Sequence, residues 1–153
     1  MDKTIKFGLI GLGPRGKSLF KTLIESKNPS VEIFAVCDQS SQKLDDFKDW
    51  LESECGIYGV KYYKDYEDML EYSGVEAVIV ATNLETHAEV SAACINAGVH
   101  TICEIPVVDN YDDARKLITA VRNNPDVKFM VAENCCYWAF IETWKQMHEQ
   151  GDF

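Results

Sequence analysis

The sequence predicts a doubly wound α/β fold in which six parallel strands form one sheet. Six short runs of apolar and β-branched residues recur along the 153 residues, and helical patterns separate them. This alternation is typical of parallel sheets with right-handed crossovers and helices on both faces. The composition, 46% hydrophobic and 26% charged, supplies enough apolar side chains for one core.

The predicted strands differ in how continuously apolar they are. The second, VEIFAVCD, and the fourth, VEAVIVA, are almost entirely apolar, as expected of strands covered on both faces. We therefore expect the fourth to be central. The strand order 3-2-1-4-5-6 then places the turn after the first strand opposite the loop after the fourth, at the carboxyl edge of the sheet. The six strands are predicted at residues 5–10, 31–38, 60–63, 75–81, 99–103 and 127–131.

Residues that commonly begin or end helices lie between these strands. The first helix has an apolar face formed by Leu19, Phe20, Leu23 and Ile24. Helix starts are predicted at Ser40 or Ser41, at Asp65, at a capping box of Thr86 and Glu89, and at Asn110. Helix ends are predicted at Asn28-Pro29, Gly56, Gly98, Asn124-Pro125 and Gly151.

Charge and cysteine content restrict the class of protein. The net charge of −10, without a cluster of Lys and Arg, argues against a nucleic-acid-binding surface. No apolar run is long enough to cross a membrane, and no leader pattern precedes the first strand. The six cysteines form no C-x-x-C pair and the three histidines add no ligand spacing, so no metal site is predicted. We expect a cytoplasmic protein in which Cys37, Cys94 and Cys103 are buried, reduced thiols.

The turn after the first strand carries the most informative motif. Gly11, Gly13 and Gly16 have the G-x-G-x-x-G spacing between a strand and a helix. In that pattern the first glycine makes the tight turn and the second admits a pyrophosphate close to the backbone. The third lets the helix pack against the strand. The spacing also occurs in ordinary strand-to-helix turns, so its context decides the interpretation.

Asp38 supplies that context. It ends the second strand 22 residues after Gly16, close to the spacing expected of an acid that accepts the ribose hydroxyls of a dinucleotide. The alternative is a helix-capping role. A carboxylate here would repel a 2′-phosphate, so NAD is favoured over NADP. Arg15 either faces the pyrophosphate or occupies an exposed position in the first helical turn.

Three segments carry a family resemblance. GLIGLGPRG, ATNLETHAEVSAACINAGVHTICEIP and MVAEN resemble the N-terminal domain of the glucose-fructose oxidoreductase, inositol dehydrogenase and MocA (Gfo/Idh/MocA) family of NAD(P)-dependent oxidoreductases. The most specific part is 81–106, where the family has A-T-x-x-x-x-H-A-E and then a strand ending in C-E-K-P. The resemblance implies an NAD(P)-binding Rossmann domain over 1–131. It also implies that 132–153 begins the link to a substrate-binding domain, an open antiparallel sheet with helices, outside this chain.

The resemblance also implies roles for residues beyond the glycine turn. Thr82, Asn83, Glu104 and Pro106 would line the nicotinamide side, and His87 would lie at the cofactor rim. The sequence departs from the family at Ile105, which occupies the position of the lysine in C-E-K-P. Isoleucine cannot accept a proton or hydrogen-bond an oxyanion. The candidates within the chain for a general base are His87, Glu104 and Tyr137.

Two functional hypotheses follow. The first is the dinucleotide-binding domain of a dehydrogenase that moves hydride between nicotinamide and a sugar-like or cyclitol substrate. The alternative is a non-catalytic dinucleotide-binding regulatory or assembly module, which Ile105 and the absent substrate domain favour. In both cases the aromatic residues within 138–148 would leave an apolar surface, so we expect self-association through this segment.

Overall fold

The computed structural model describes residues 4–152 and places six parallel strands in one sheet within that range. The strand order is β3-β2-β1-β4-β5-β6, so both the predicted fold class and the predicted order are confirmed. The strands are β1 (Ile5–Ile10), β2 (Val31–Cys37), β3 (Lys61–Tyr63), β4 (Ala77–Val80), β5 (His100–Cys103) and β6 (Phe129–Val131).

Six α-helices alternate with the strands in the described part of the chain. They are α1 (Pro14–Glu25), α2 (Ser41–Ser53), α3 (Tyr66–Tyr72), α4 (Leu84–Asn96), α5 (Tyr111–Asn123) and α6 (Ala139–Gln150). The predicted caps at Ser40, Asp65 and Asn110 are confirmed, because each side chain accepts a hydrogen bond from a first-turn amide. Gly151 ends α6 in the left-handed conformation with φ of 81°.

The predicted start of α4 is wrong. The helix begins after Asn83, so Thr86 lies inside the first turn and does not form a capping box with Glu89. The Thr86 hydroxyl lies 2.9 Å from the Asn83 carbonyl oxygen, within the same turn. The predicted strands also extend beyond the paired residues, as at β6, which begins at Phe129 rather than at 127.

The core lies on both faces of the sheet because successive side chains of each strand point in opposite directions. Leu9 and Val36 face one side, whereas Ile10 and Cys37 face the other. The first side packs Phe20, Phe47 and Leu51 of α1 and α2, and the second packs Met69, Val90 and Cys94 of α3 and α4. Burial of such side chains contributes about 1.5–3 kcal/mol each, which stabilises the strand ends that carry the polar loops.

The glycine turn depends on close backbone contact between β1, α1 and the residue after β4. Gly11 has φ of +97°, and a Cβ there would overlap the Ala81 carbonyl group. A Cβ on Gly16 would overlap the carbonyl oxygen of Gly11. A Cβ on Gly13, by contrast, would meet no atom within 4 Å. The first and third glycines are therefore required by packing, and the second leaves open space above the backbone.

We predict that Gly16→Ala lowers the free energy of unfolding by about 1–3 kcal/mol, because the added methyl group overlaps backbone that cannot rotate away. Gly13→Ala is the matched control and is expected to change stability by no more than about 0.5 kcal/mol. Urea unfolding followed by circular dichroism measures both values. Equal midpoints for Gly16→Ala and the unmodified chain would contradict this account of the turn.

Candidate functional site

A cavity of about 420 Å³ opens at the carboxyl edge of the sheet, where the order reverses between β1 and β4. This is the position at which open α/β sheets bind ligands. The loops after β1, β2, β3 and β4 form its walls. Six of the residues predicted for a cofactor site line it: Gly11, Gly13, Arg15, Asp38, Thr82 and Asn83.

The glycine loop presents backbone to this cavity. Gly13 is the N-cap of α1, with an extended conformation and no side-chain hydrogen bond to the first-turn amides. The amide groups of this turn, together with the helix dipole, favour an anion. The open space above Gly13 lets a group of pyrophosphate size approach the backbone closely. The residues present therefore fit the predicted pyrophosphate position.

The Asp38 side chain is hydrogen-bonded to the glycine loop. Its Oδ2 atom accepts a hydrogen bond of 2.9 Å from the amide of Leu12, and its Oδ1 atom accepts one of 3.0 Å from the amide of Ser40. Lys43 lies on the exposed side, with Nζ 3.2 Å from Oδ2. Because Ser40 is the N-cap of α2, Asp38 does not have the capping role that was its alternative interpretation.

Arg15 and Glu104 form an ion pair across the carboxyl edge. The Arg15 Nε atom donates a hydrogen bond of 2.7 Å to Glu104 Oε1, and the amide of Ile105 donates one of 3.1 Å to Oε2. Glu104 is buried, whereas the Arg15 side chain is 48% exposed and lines the cavity. The pair joins the first turn of α1 to the end of β5, and both carboxylate oxygens of Glu104 are engaged.

His87 is buried and lies behind the cavity wall. Its Nδ1 atom is 2.7 Å from the carbonyl oxygen of Pro106, and its Nε2 atom is 3.0 Å from that of Thr82. Both ring nitrogens therefore face backbone carbonyl oxygens. The ring connects the loops after β4 and β5, and the structure does not bring it into contact with the cavity.

The remaining predicted residues lie outside the cavity lining. Gly16 is buried in the turn, and Pro106 is exposed beyond β5. Tyr137 is 72% exposed in a 3₁₀ turn at Cys135–Tyr137. Ile105 is 40% exposed. Tyr137, predicted as a candidate general base, therefore does not line the cavity.

Several residues of the cavity wall were not predicted as site residues, and three of them lie together. Lys43, Lys64 and Tyr66 line the side formed by the loops after β2 and β3. Nothing in their spacing distinguishes them from ordinary surface residues at the start of a helix. Lys43 follows Asp38 by five residues, and because Asp38 precedes α2, a contact between the two side chains depends on how the loop between them folds.

The cysteine thiols are free, and the predicted burial of Cys37, Cys94 and Cys103 is confirmed. Burial raises the pKa of Cys37 and Cys94 to about 12 and that of Cys103 to about 11. A hydrogen bond to Glu133 raises the pKa of the Cys135 thiol. The thiols of Cys37, Cys94 and Cys103 therefore stay protonated at neutral pH and pack in the core as small apolar groups.

Residues 4–152 contain neither a candidate metal site nor a candidate membrane-spanning helix. No group of three or more His, Cys, Asp or Glu side chains there is placed to hold a metal ion. None of the helices in that range is both long enough and apolar enough to cross a bilayer.

Comparison with known proteins identifies the relatives of this chain. The family described as "Oxidoreductase family, NAD-binding Rossmann fold" (Gfo/Idh/MocA) matches residues 5–133. Inositol 2-dehydrogenase from Salmonella typhimurium is 31% identical over 121 residues, covering 79% of this chain and 34% of the relative. A glycosyl hydrolase family 109 protein from Porphyromonas gingivalis is 30% identical over 156 residues, covering 99% of this chain and 32% of the relative. The chain thus spans about a third of the length of these curated relatives.

Solved structures agree with the observed fold. The scyllo-inositol dehydrogenase from Lactobacillus casei, with bound cofactor NAD(H) and scyllo-inositol, superposes with a TM-score of 0.84 at 25% identity. The match covers 98% of this chain and 42% of that one. The myo-inositol 2-dehydrogenase from Lactobacillus plantarum superposes with a TM-score of 0.86 at 23% identity. This match covers 98% of the present chain and 42% of the dehydrogenase, and it shows only that the two folds are alike.

Proposed function

This chain belongs to the Gfo/Idh/MocA oxidoreductase family, as its NAD-binding Rossmann domain, and we propose that the cavity at the carboxyl edge is where it holds the dinucleotide. One observation carries the proposal: the open backbone at Gly13 and the carboxylate of Asp38 line the same cavity. A dinucleotide site needs the first for the pyrophosphate and the second for the adenosine ribose.

Each wall of the cavity has a distinct role in this proposal. The amides around Gly13 hold the pyrophosphate, and Asp38 accepts a hydrogen bond from the adenosine ribose. Thr82 and Asn83, at the start of α4, lie on the nicotinamide side. Nicotinamide supplies the hydride chemistry when bound, whereas the chain supplies binding and orientation. Arg15 contributes positive charge near the glycine loop while Glu104 holds its side chain in place.

We further propose that the substrate is a hydroxylated ring, a cyclitol or sugar. The names of the relatives support this class, since they include inositol 2-dehydrogenase and a scyllo-inositol complex. Ile105 provides no proton acceptor, and the polar atoms of His87 and Glu104 already have partners. We therefore propose that neither His87 nor Glu104 transfers the proton. In this proposal a residue of the substrate-binding pocket does so.

A non-catalytic dinucleotide-binding module is the second candidate. The observation that favours it is Ile105, a half-exposed apolar side chain at the position where the resembled family carries a lysine. Both candidates require dinucleotide binding, and they differ in whether any substrate is oxidised or reduced.

We predict that NAD binds this chain and raises its melting temperature. At a ligand concentration of 100 Kd the stabilisation is about 2.7 kcal/mol. Gly13→Ala and Asp38→Ala should each weaken binding by roughly tenfold or more, since one fills the space above the loop and the other removes the ribose acceptor. Lys21→Ala, on the exposed side of α1, is the matched control. Calorimetry and thermal shift measure both effects, and no response to saturating NAD would overturn the proposal.

We predict that the protein at its natural length reduces NAD in the presence of at least one inositol or sugar. The increase in absorbance of the reduced nicotinamide measures this reaction. Ile105→Lys should raise the rate by roughly 10²-fold, because it supplies a proton acceptor at the position where the family has one. Ile118→Lys is the control, as Ile118 is similarly exposed on α5. NAD binding without turnover by either the natural protein or Ile105→Lys would assign the non-catalytic role instead.

We also propose that the chain self-associates through an aromatic surface on and beside α6. None of the residues of α6 that the structure describes is buried, and four large apolar side chains are 36–54% exposed. Their rings contact one another, with 5.5 Å between the centroids of Trp138 and Phe140 and 5.2 Å between those of Phe140 and Trp144. The aromatic surface consists of Trp138, Phe140, Trp144 and Met147.

We predict a concentration-dependent dimer in sedimentation velocity. Trp144→Glu should shift it to monomer, because a charge at the centre of an apolar contact has to be desolvated without a partner. Gln146→Glu is the control, since position 146 lies about 200° around the helix from Trp144. A monomer at the highest attainable concentration would refute the proposed dimer.

A further inference from the structure

The side of the cavity formed by the loops after β2 and β3 contains two lysine side chains, although an NAD site needs only an acceptor for the ribose hydroxyls there. Lys43 and Lys64 line this side beside Asp38 and Asp65. The whole cavity lining includes three cationic side chains, with Arg15, and two anionic ones, although the chain as a whole carries a charge of −10. Arg15 forms its ion pair with Glu104, which lies outside the lining. The positive charge on the wall formed by the loops after β2 and β3 therefore comes from Lys43 and Lys64.

The hydrogen bonds of Asp38 show how much of its carboxylate remains for a ligand. A carboxylate has about four acceptor sites. The amides of Leu12 and Ser40 and the ammonium group of Lys43 occupy three of them. The Asp38 side chain is only 10% exposed. One acceptor position therefore remains, enough for a single ribose hydroxyl.

Lys43 differs from Asp38 in both exposure and unused capacity. Its side chain is 51% exposed, and Nζ has three donors, of which one reaches Asp38 at 3.2 Å. The carboxylate that would repel a 2′-phosphate is thus paired with a cation. Asp65, the other acid on this wall, caps α3 through a bond of 2.7 Å from the amide of Glu67 to Oδ1.

We propose that Lys43 determines cofactor specificity at this site and lets the chain bind NADP as well as NAD. The ammonium group neutralises Asp38 and donates to the 2′-phosphate, which carries about two negative charges at neutral pH. Lys64 adds a second positive charge on the same wall. The inference rests on the proposed function of the cavity, and it extends the simpler expectation that Asp38 alone excludes a 2′-phosphate.

The test compares Kd for NAD and NADP by calorimetry in the unmodified chain and in Lys43→Met. The unmodified chain should bind NADP within roughly tenfold of NAD. Lys43→Met removes the positive charge and keeps most of the side-chain length, so it should lower the affinity for NADP relative to NAD by roughly tenfold or more. Lys43→Arg should retain NADP binding. Raising the salt concentration should weaken NADP binding more than NAD binding.

Lys48→Met is the matched control, because Lys48 is an exposed lysine of the same helix that does not line the cavity. Melting temperatures without ligand show whether each variant is folded. Two results would overturn the role of Lys43. In the first, the unmodified chain binds NADP more than about 100-fold less tightly than NAD. In the second, Lys43→Met binds NADP as tightly as the unmodified chain does. Failure to bind either dinucleotide would overturn the proposed function itself, so the two failures are distinguishable.

Discussion

The close approach of backbone at Gly11, Gly16 and Ala81 is the contact on which the rest of the site depends. It brings the first turn of α1 against the ends of β1 and β4, and any side chain at the first or third glycine would separate them. The loops after these two strands consequently meet at the carboxyl edge, where the strand order reverses. That approach leaves no room for a side chain at Gly11 or Gly16, whereas the space beside Gly13 stays open.

Asp38 connects this turn to the second strand. Hydrogen bonds to a charged group contribute about 1.5–3 kcal/mol each, and Asp38 accepts them from two backbone amides. The carboxylate that we propose as the ribose acceptor therefore also holds the glycine loop at the end of β2. Under that proposal one residue serves both ligand binding and loop geometry, so loss of the loop contact would weaken both.

Glu104 and His87 show how buried polar side chains can hold loops together. Glu104 connects α1 to the end of β5, and His87 connects the loops after β4 and β5. Together they join the first turn of α1 to the loops after β4 and β5. Their polar atoms face other groups of the protein, so the roles that the contacts of these two residues show are structural.

The sequence by itself determined the number and order of the strands, three helix caps and the glycine turn. These features depend on residues close together in the chain: apolar runs, a polar residue before a helix, and glycine where φ is positive. The start of α4 was predicted wrongly because Thr86 and Glu89 match a local pattern, whereas the helix begins at the point where β4 ends. The burial of His87, the Arg15 to Glu104 pair and the position of Lys43 were decided only by tertiary structure. His87 contacts Pro106, 19 residues away, as well as the nearer Thr82, and Arg15 contacts Glu104, 89 residues away. Lys43 reaches Asp38 only through the fold of the loop between them, so no local pattern encodes this set of contacts.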